Sequence, residues 1–348
     1  YRPAIWQLTM WQVIGQNKAV SLLKGSLEKD ALAHAYLLTG PHRVGKMTLA
    51  MDLARAINCG AAAPPCGKCN TCLKIGSGKH PDVEIINVSG GQDIAEDSAQ
   101  TEISIERIRQ LQHAASLPPF EASYKVFIIE GAELLSNEAA NCLLKTLEEP
   151  SDRIIFALIT SREELLPATV VSRCQRLELS PLPPDEMEKS LGEHWNIERE
   201  KARLLARLSR GCLGQALEYA HDENLLKERS ERIEQMLKVI DSRYYEERLD
   251  YAARLSSQFN KNKQSAAKYL DMWLGWWHDL LLVKIGVSEA ITSTDYQDIL
   301  EQQARGYNLN DIREFISAAQ SASVQLKQNA NSQLVFEVLM LSIPERRR

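Results

Sequence analysis

The stretch HAYLLTGPHRVGKMT, residues 34–48, decides the fold. Its opening run AYLLT (35–39) is short and apolar and reads as a strand. The turn GPHRVGK (40–46) is bounded by glycines and ends in lysine, and an amphipathic segment follows at 47–57. Strand, G-x-x-x-x-G-K turn and helix in that order form the setting of a phosphate-binding loop. In such a loop backbone N–H groups wrap an anion and the helix N-terminus adds its dipole. Gly40, Gly45 and Lys46 therefore read as nucleotide-binding residues. The next position should carry a hydroxyl to hold Mg²⁺, and the chain has Met47. A thioether does not replace a hard oxygen ligand. Thr48 is adjacent, but one residue along a helix turns the side chain by about 100°.

Outward from this loop the pattern repeats. VEIINV (83–88), KVFIIE (125–130) and IIFALIT (154–160) are further strand candidates, with QRLEL (175–179) as a fifth. Short branched runs that are apolar almost throughout fit strands buried on both faces of a parallel sheet. Helical segments lie between them, at 103–115 and at 138–147, the latter behind a Ser136 cap and before Pro150. This alternation predicts an α/β layer architecture. SPLPPDE (180–186) carries three prolines and marks a boundary, beyond which the chain reads as helical. There Trp273, Trp276, Trp277, Leu280 and Leu281 share one helix face, and Leu334, Val338 and Leu341 share another. At helical spacing the tryptophans read as core or subunit packing before base stacking. The expected division is an α/β domain at 10–179, a small helical lid at 180–222 and a helical domain at 223–348.

With 348 residues, 44% hydrophobic and 25% charged, the composition is that of a globular protein. No run approaches the roughly 18 apolar residues of a membrane span, so no membrane role and a cytoplasmic location are expected. The first ten residues, YRPAIWQLTM, lack a basic region followed by an apolar core, and Met10 is the candidate natural start. A net charge of −5 gives no global bias toward nucleic acid and leaves a local basic surface open.

Four of the seven cysteines are clustered in CGAAAPPCGKCNTC. Cys59, Cys66, Cys69 and Cys72 give C-x6-C-x2-C-x2-C. Thiolates prefer Zn²⁺, and four of them close a tetrahedral site with no position left for water. A structural zinc module at 59–72 is therefore expected. A redox pair at Cys66 and Cys69 is the weaker reading, since it leaves two cysteines unexplained. Cys142, Cys174 and Cys212 are scattered.

A nucleotide hydrolase needs an acid at the end of a later apolar strand. KVFIIEGAELL supplies Glu130, which can hold a metal with a longer arm, but Gly131 follows and has no side chain to polarise water.

HAYLLTGPHRVGK, GKHPDV, AANCLLKTLEEP and VVSRC occur in this order over most of the first 175 residues. Together they resemble the AAA+ subunits of the bacterial DNA polymerase III clamp loader. That family contains active gamma/tau motor subunits and a delta-prime type with a degenerate nucleotide site, and this sequence is similar to the delta-prime type. The resemblance covers nearly the whole chain, though the last third matches mainly through its helical character and segments such as WLGWWHDLLLVKIG.

The resemblance implies a P-loop AAA+ domain with an inserted zinc module, then a helical lid and an all-α collar. It implies that Thr160 matches the sensor of the γ-phosphate. The lid turn that carries a second, basic sensor in active subunits is GCLGQAL (211–217) here, with Gly214 and Gln215 at the critical place. Met47, Gly131 and Gly214 thus point the same way, to ATP or ADP binding without efficient hydrolysis. Arg173 of the SRC stretch matches an arginine finger offered to a neighbouring subunit's ATP, where a guanidinium in trans stabilises developing charge. The implied partners are gamma/tau and delta subunits and, through the complex, the sliding clamp and primed DNA. Taken alone, Arg173 is a solvated surface charge. Competing readings are an active gamma/tau-type ATPase and a stand-alone P-loop transferase. His80 and Asp82 read as fixing a strand start, His34 as structural, and Glu148 and Glu149 as positional.

Overall fold

The computed structural model describes residues 11–88 and 102–346, so Met10 and the residues before it lie outside the described part. The chain divides into two compact units, residues 1–198 with 211–215 and residues 199–210 with 216–348. The division runs within the segment expected to form a lid.

The first unit contains α1 (Asn17–Glu28), β1 (Ala35–Thr39), α2 (Lys46–Asn58), α3 (Asn70–Gly76), β2 (Val83–Ile86), α4 (Ile105–Ser116), β3 (Lys125–Glu130), α5 (Asn137–Glu148), β4 (Ile154–Ile159), α6 (Ala168–Val171), β5 (Gln175–Glu178) and α7 (Pro184–Trp195). All five expected strands form. They pair in parallel in the order β2-β3-β4-β1-β5. Their apolar runs are explained by two-sided burial. Tyr36, Leu38, Val126, Ile128, Ile155 and Ala157 pack into a core on one face of the sheet with α2 residues such as Leu49 and Leu53. The alternate residues Leu37, Phe127, Ile129, Phe156 and Leu158 pack on the other face with Leu111 of α4 and Leu143 of α5. Ser136 caps α5 as expected, its side chain accepting a hydrogen bond from the Ala139 N–H at 3.1 Å. Ile103 falls outside α4 and instead pairs with Leu135 in an isolated bridge. Of the three prolines at the boundary, Pro184 opens α7, where a missing N–H costs nothing.

Register aligns the strand ends that carry chemistry. Leu38 pairs with Ile159, and Ile159 pairs with Glu130. The loop after β1, the residues after β4 and the acid ending β3 therefore meet at one carboxyl edge of the sheet. In open parallel sheets that edge is where ligands bind.

The second unit is helical among the described residues: α8 (Arg199–Leu208), α9 (Leu213–His221, whose first residues belong to the first unit), α10 (Glu223–Asp241), α11 (Tyr245–Lys261), α12 (Lys263–Lys284), α13 (Gln297–Gly306), α14 (Leu309–Lys327) and α15 (Ser332–Leu341). Its core is aromatic. Trp273, Trp276, Trp277 and Leu280 are buried, and the Trp277 ring lies 4.4 Å from that of Phe315 and 5.2 Å from that of Tyr307. These tryptophans are core residues. Leu334, Val338 and Leu341 do share a face of α15, but it is the exposed one, while Val335, Phe336, Leu339 and Met340 are buried. No helix among the described residues is long and apolar enough to cross a membrane.

Candidate functional site

The glycine loop leaves β1 through Gly40, whose φ of 137° suits glycine alone and where a Cβ would stand 2.3 Å from the Leu179 carbonyl oxygen. Gly45, with φ 111°, caps α2. Between them Arg43 adopts the left-handed region at φ 62°. The Lys46 side chain is buried and turns back over the loop. Its Nζ donates to the carbonyl oxygens of Gly40 and Pro41, both at 2.6 Å, and to Ser161 Oγ at 3.2 Å. Burial pulls the Lys46 ammonium below its ordinary pKa, and the Glu133 carboxylate is foremost among the groups that oppose this. Burial likewise lowers His42, with the Lys46 charge adding to the effect.

Met47 is half-buried and packs against the core beneath α2, which fits an anchoring side chain rather than a metal ligand. Thr48 is half-buried one position further on. Glu130 ends β3 with its side chain exposed. Thr160 is buried directly after β4, and its Oγ1 accepts from the Arg162 N–H at 3.0 Å. Gly40, Gly45, Lys46, Glu130 and Thr160 therefore sit at one edge of the sheet.

Glu133 belongs with them and was missed by sequence reasoning. A left-handed turn at Gly131 leads into the short 3-10 turn Ala132–Leu134, which folds the chain back. The Glu133 carboxylate then accepts from the Ser161 N–H at 3.3 Å, while Ser161 Oγ receives Lys46. An acid three residues beyond a strand end carries no periodic signal, and only the glycine at 131 hinted at the turn. The lid turn also meets this loop. The Gly214 N–H donates to the Arg43 carbonyl at 2.9 Å, and a Cβ at 214 would stand 2.9 Å from that same oxygen.

Arg173 stands apart from the loop, just beyond α6. Its guanidinium donates to the Thr169 carbonyl at 2.9 Å and to Glu148 Oε1, at the end of α5, at 2.5 Å. About a third of the side chain is exposed at 34%. The SRC arginine is thus held, in part, by the LEEP glutamate.

The four clustered cysteines converge. Their Sγ atoms all lie within 4.8 Å of one another, and those of Cys59 and Cys69 are 4.0 Å apart. Four thiolates at the usual Zn–S length of about 2.3 Å would be about 3.8 Å apart along a tetrahedron edge, so the donor set fits such an ion. Backbone N–H groups of Cys66, Cys69 and Cys72 point at the sulfurs of Cys59, Cys66 and Cys69 at 3.3–3.4 Å, the outer-shell pattern that orients thiolate ligands. The N–H groups of Lys68 and Cys69 bring the Cys66 thiol down to about 6. Burial pushes Cys72 up, so a thiolate there needs a cation beside it. These four residues could hold a metal ion.

His80 and Asp82 have the structural role expected. His80 Nδ1 accepts from the Asp82 N–H at 3.1 Å, and the buried Asp82 carboxylate accepts from the N–H groups of Phe120, Glu121 and Ala122 at 2.7, 2.8 and 2.9 Å. One carboxylate thereby ties the β3 approach to the start of β2.

The family described as DNA polymerase III, delta subunit, matches residues 15–183, and that described as DNA polymerase III, delta subunit, C terminal, matches residues 223–345. DNA polymerase III subunit delta-prime of Bacillus subtilis is 31% identical over 331 residues, 95% of this chain and 96% of that protein. DNA polymerase III subunit tau of Escherichia coli is 33% identical over 216 residues, 60% of this chain but 32% of tau. Among solved structures, a DNA polymerase III gamma subunit-related protein from Thermotoga maritima aligns with 95% of this chain and 99% of its own at 19% identity and a TM-score of 0.46. A relative matched along almost its entire length, with the two family matches covering both units, makes this chain a member of the DNA polymerase III delta-prime subunit family.

Proposed function

We propose that this chain serves as the delta-prime-type subunit of a bacterial clamp loader, with weak or absent hydrolysis in its own nucleotide site and with Arg173 supplied in trans to a neighbouring ATPase subunit. It works beside gamma/tau and delta subunits while a sliding clamp is loaded onto primed DNA. The observation that carries this reading is a separation of parts. The loop at 40–46 keeps its lysine but has Met47 where Mg²⁺ needs an oxygen, while a partly exposed arginine stands at a different surface. A subunit built this way loses its own turnover and remains required for the site next door. The loop, with Glu130 and Thr160 at the same edge, is suited to holding ATP or ADP without efficient hydrolysis. The ion fitted by Cys59, Cys66, Cys69 and Cys72 is a structural Zn²⁺, since four thiolates leave no position for reacting water.

The test is ATP turnover by complexes reconstituted with gamma/tau and delta, carrying the native chain or Arg173→Ala, beside the chain alone. The expected result is no turnover by the chain alone, and loss of turnover at the site Arg173 serves, on the order of 10³-fold, with assembly preserved. Turnover by the chain alone that disappears in Lys46→Ala identifies a gamma/tau-type motor instead. Unchanged turnover in the Arg173→Ala complex removes the finger from the reading.

A further inference from the structure

The Glu133 carboxylate is the group at the loop that the proposed function leaves unused. It accepts the Ser161 N–H through Oε1, and Ser161 Oγ in turn accepts from Lys46 Nζ. Lys46 Nζ also reaches the Gly40 and Pro41 carbonyls, so its donors are directed at protein oxygens on the loop and beside it. Glu133 Oε2 is buried and has no hydrogen-bond partner among the described residues. The Glu133 carboxylate, linked to a buried ammonium through Ser161, is an anion close to the group that a phosphate would take as its counter-charge.

We infer that Glu133 is a built-in counter-anion of the phosphate-binding loop: joined to Lys46 through Ser161, it sets a low affinity of the site for the phosphates of a nucleotide. The inference rests on the reading that the loop at 40–46 is an anion site. The physical ground is charge balance. A phosphate chain gains attraction from Lys46 and from the N–H groups of the loop, but it must enter against a carboxylate fixed in a poorly hydrated position. Two like charges several ångströms apart repel far more strongly at the effective dielectric of a protein surface than in bulk water. Glu130, exposed at the end of β3, adds a smaller, better-solvated negative charge. The loop's shape is that of an anion receptor, and Glu133 offsets part of the positive charge that Lys46, Arg43 and Arg162 bring there before any ligand arrives. Glu133 acts here through the field at Lys46 and through the Ser161 N–H, so it is a positioning residue.

The experiment is calorimetric titration of the purified chain with pyrophosphate, with and without Mg²⁺, for the native protein and for Glu133→Gln, Lys46→Ala and Ser161→Ala. Glutamine keeps the acceptor for the Ser161 N–H and removes the charge, so folding is preserved, and circular dichroism checks it. The expected result is tighter binding by Glu133→Gln, on the order of tenfold or about 1.4 kcal/mol, in both conditions, and loss of that binding when Lys46→Ala is added. Ser161→Ala, which cuts the link but leaves the charge, is expected to change affinity less than Glu133→Gln. Equal binding by the native chain and Glu133→Gln, or no binding by either, overturns the inference. Weaker binding by Glu133→Gln only when Mg²⁺ is present also overturns it, because Glu133 is then a metal ligand. Binding that survives Lys46→Ala overturns the anion-site reading of the loop itself.

Discussion

Arg173, in the turn after α6, forms an ion pair with Glu148 at the end of α5, with the guanidinium 2.5 Å from the carboxylate oxygen. Both side chains are partly exposed, so the pair contributes little to stability, about 0–1 kcal/mol. Its effect falls on the arginine's availability. A phosphate that recruits Arg173, as proposed, must displace the Glu148 carboxylate from the guanidinium. Glu148→Gln is expected to leave the melting temperature within about 2 °C of the native value, while raising turnover of the reconstituted complex several-fold at low ATP. Thermal melts and steady-state turnover check the two halves, and a fall in turnover would mean that Glu148 orients the arginine instead of competing for it.

The Asp82 clasp predicts a pH dependence. Burial alone would raise the pKa of this carboxyl, but the N–H groups of Phe120, Glu121 and Ala122 outweigh it and the net shift is downward from 3.8. The folded pKa is therefore below the unfolded one. Asp82 contributes stability that is fully present above about pH 4 and is lost as pH falls through the depressed folded value. Asp82→Asn is expected to lower stability by about 2 kcal/mol at pH 7 and by much less near pH 2. Urea unfolding of both proteins at the two pH values measures the difference, in which other acid-sensitive groups cancel.

For the cysteine module, metal analysis of the purified chain is expected to give about one zinc per chain. Cys69→Ser is expected to abolish it, because Cys69 Sγ both approaches Cys59 and receives the Cys72 N–H that starts α3. Removal of the ion by a chelator is expected to lower the unfolding midpoint of the native chain and not that of Cys69→Ser.

The buried and exposed apolar faces of the helical unit should differ sharply in their response to truncation. Trp277→Ala empties a site packed between Phe315 and Tyr307 and is expected to cost about 3–5 kcal/mol in chemical unfolding. Val338→Ala removes a side chain that is 60% exposed and is expected to cost under about 0.5 kcal/mol.

What the sequence disclosed follows from locality. The five strands were legible because burial on both faces makes each a short apolar run. Ser136 was legible as a cap because a cap bonds three residues away. The cysteines were legible because one short segment supplies all four sulfurs. The unread features depend on residues brought together by tertiary folding. Glu148 and Arg173 are 25 positions apart, Asp82 and Ala122 are 40, and Glu133 and Ser161 are 28. None leaves a periodic trace. The exposure of Leu334, Val338 and Leu341 was unreadable for another reason: α15 is apolar nearly all round, so spacing alone did not say which side the core covers.

The meeting of Gly214 with Arg43 limits what the turn can carry as well as setting its shape. At 214 the backbone itself approaches the loop, and even a single added carbon would collide with the Arg43 carbonyl oxygen. An arginine placed there has no room until the turn has first moved. A larger residue at 214 therefore needs a second change, in the turn or at Arg43, before it fits. Position 214 is closed to side chains by the backbone of the loop itself, independently of what stands at Met47 or Gly131.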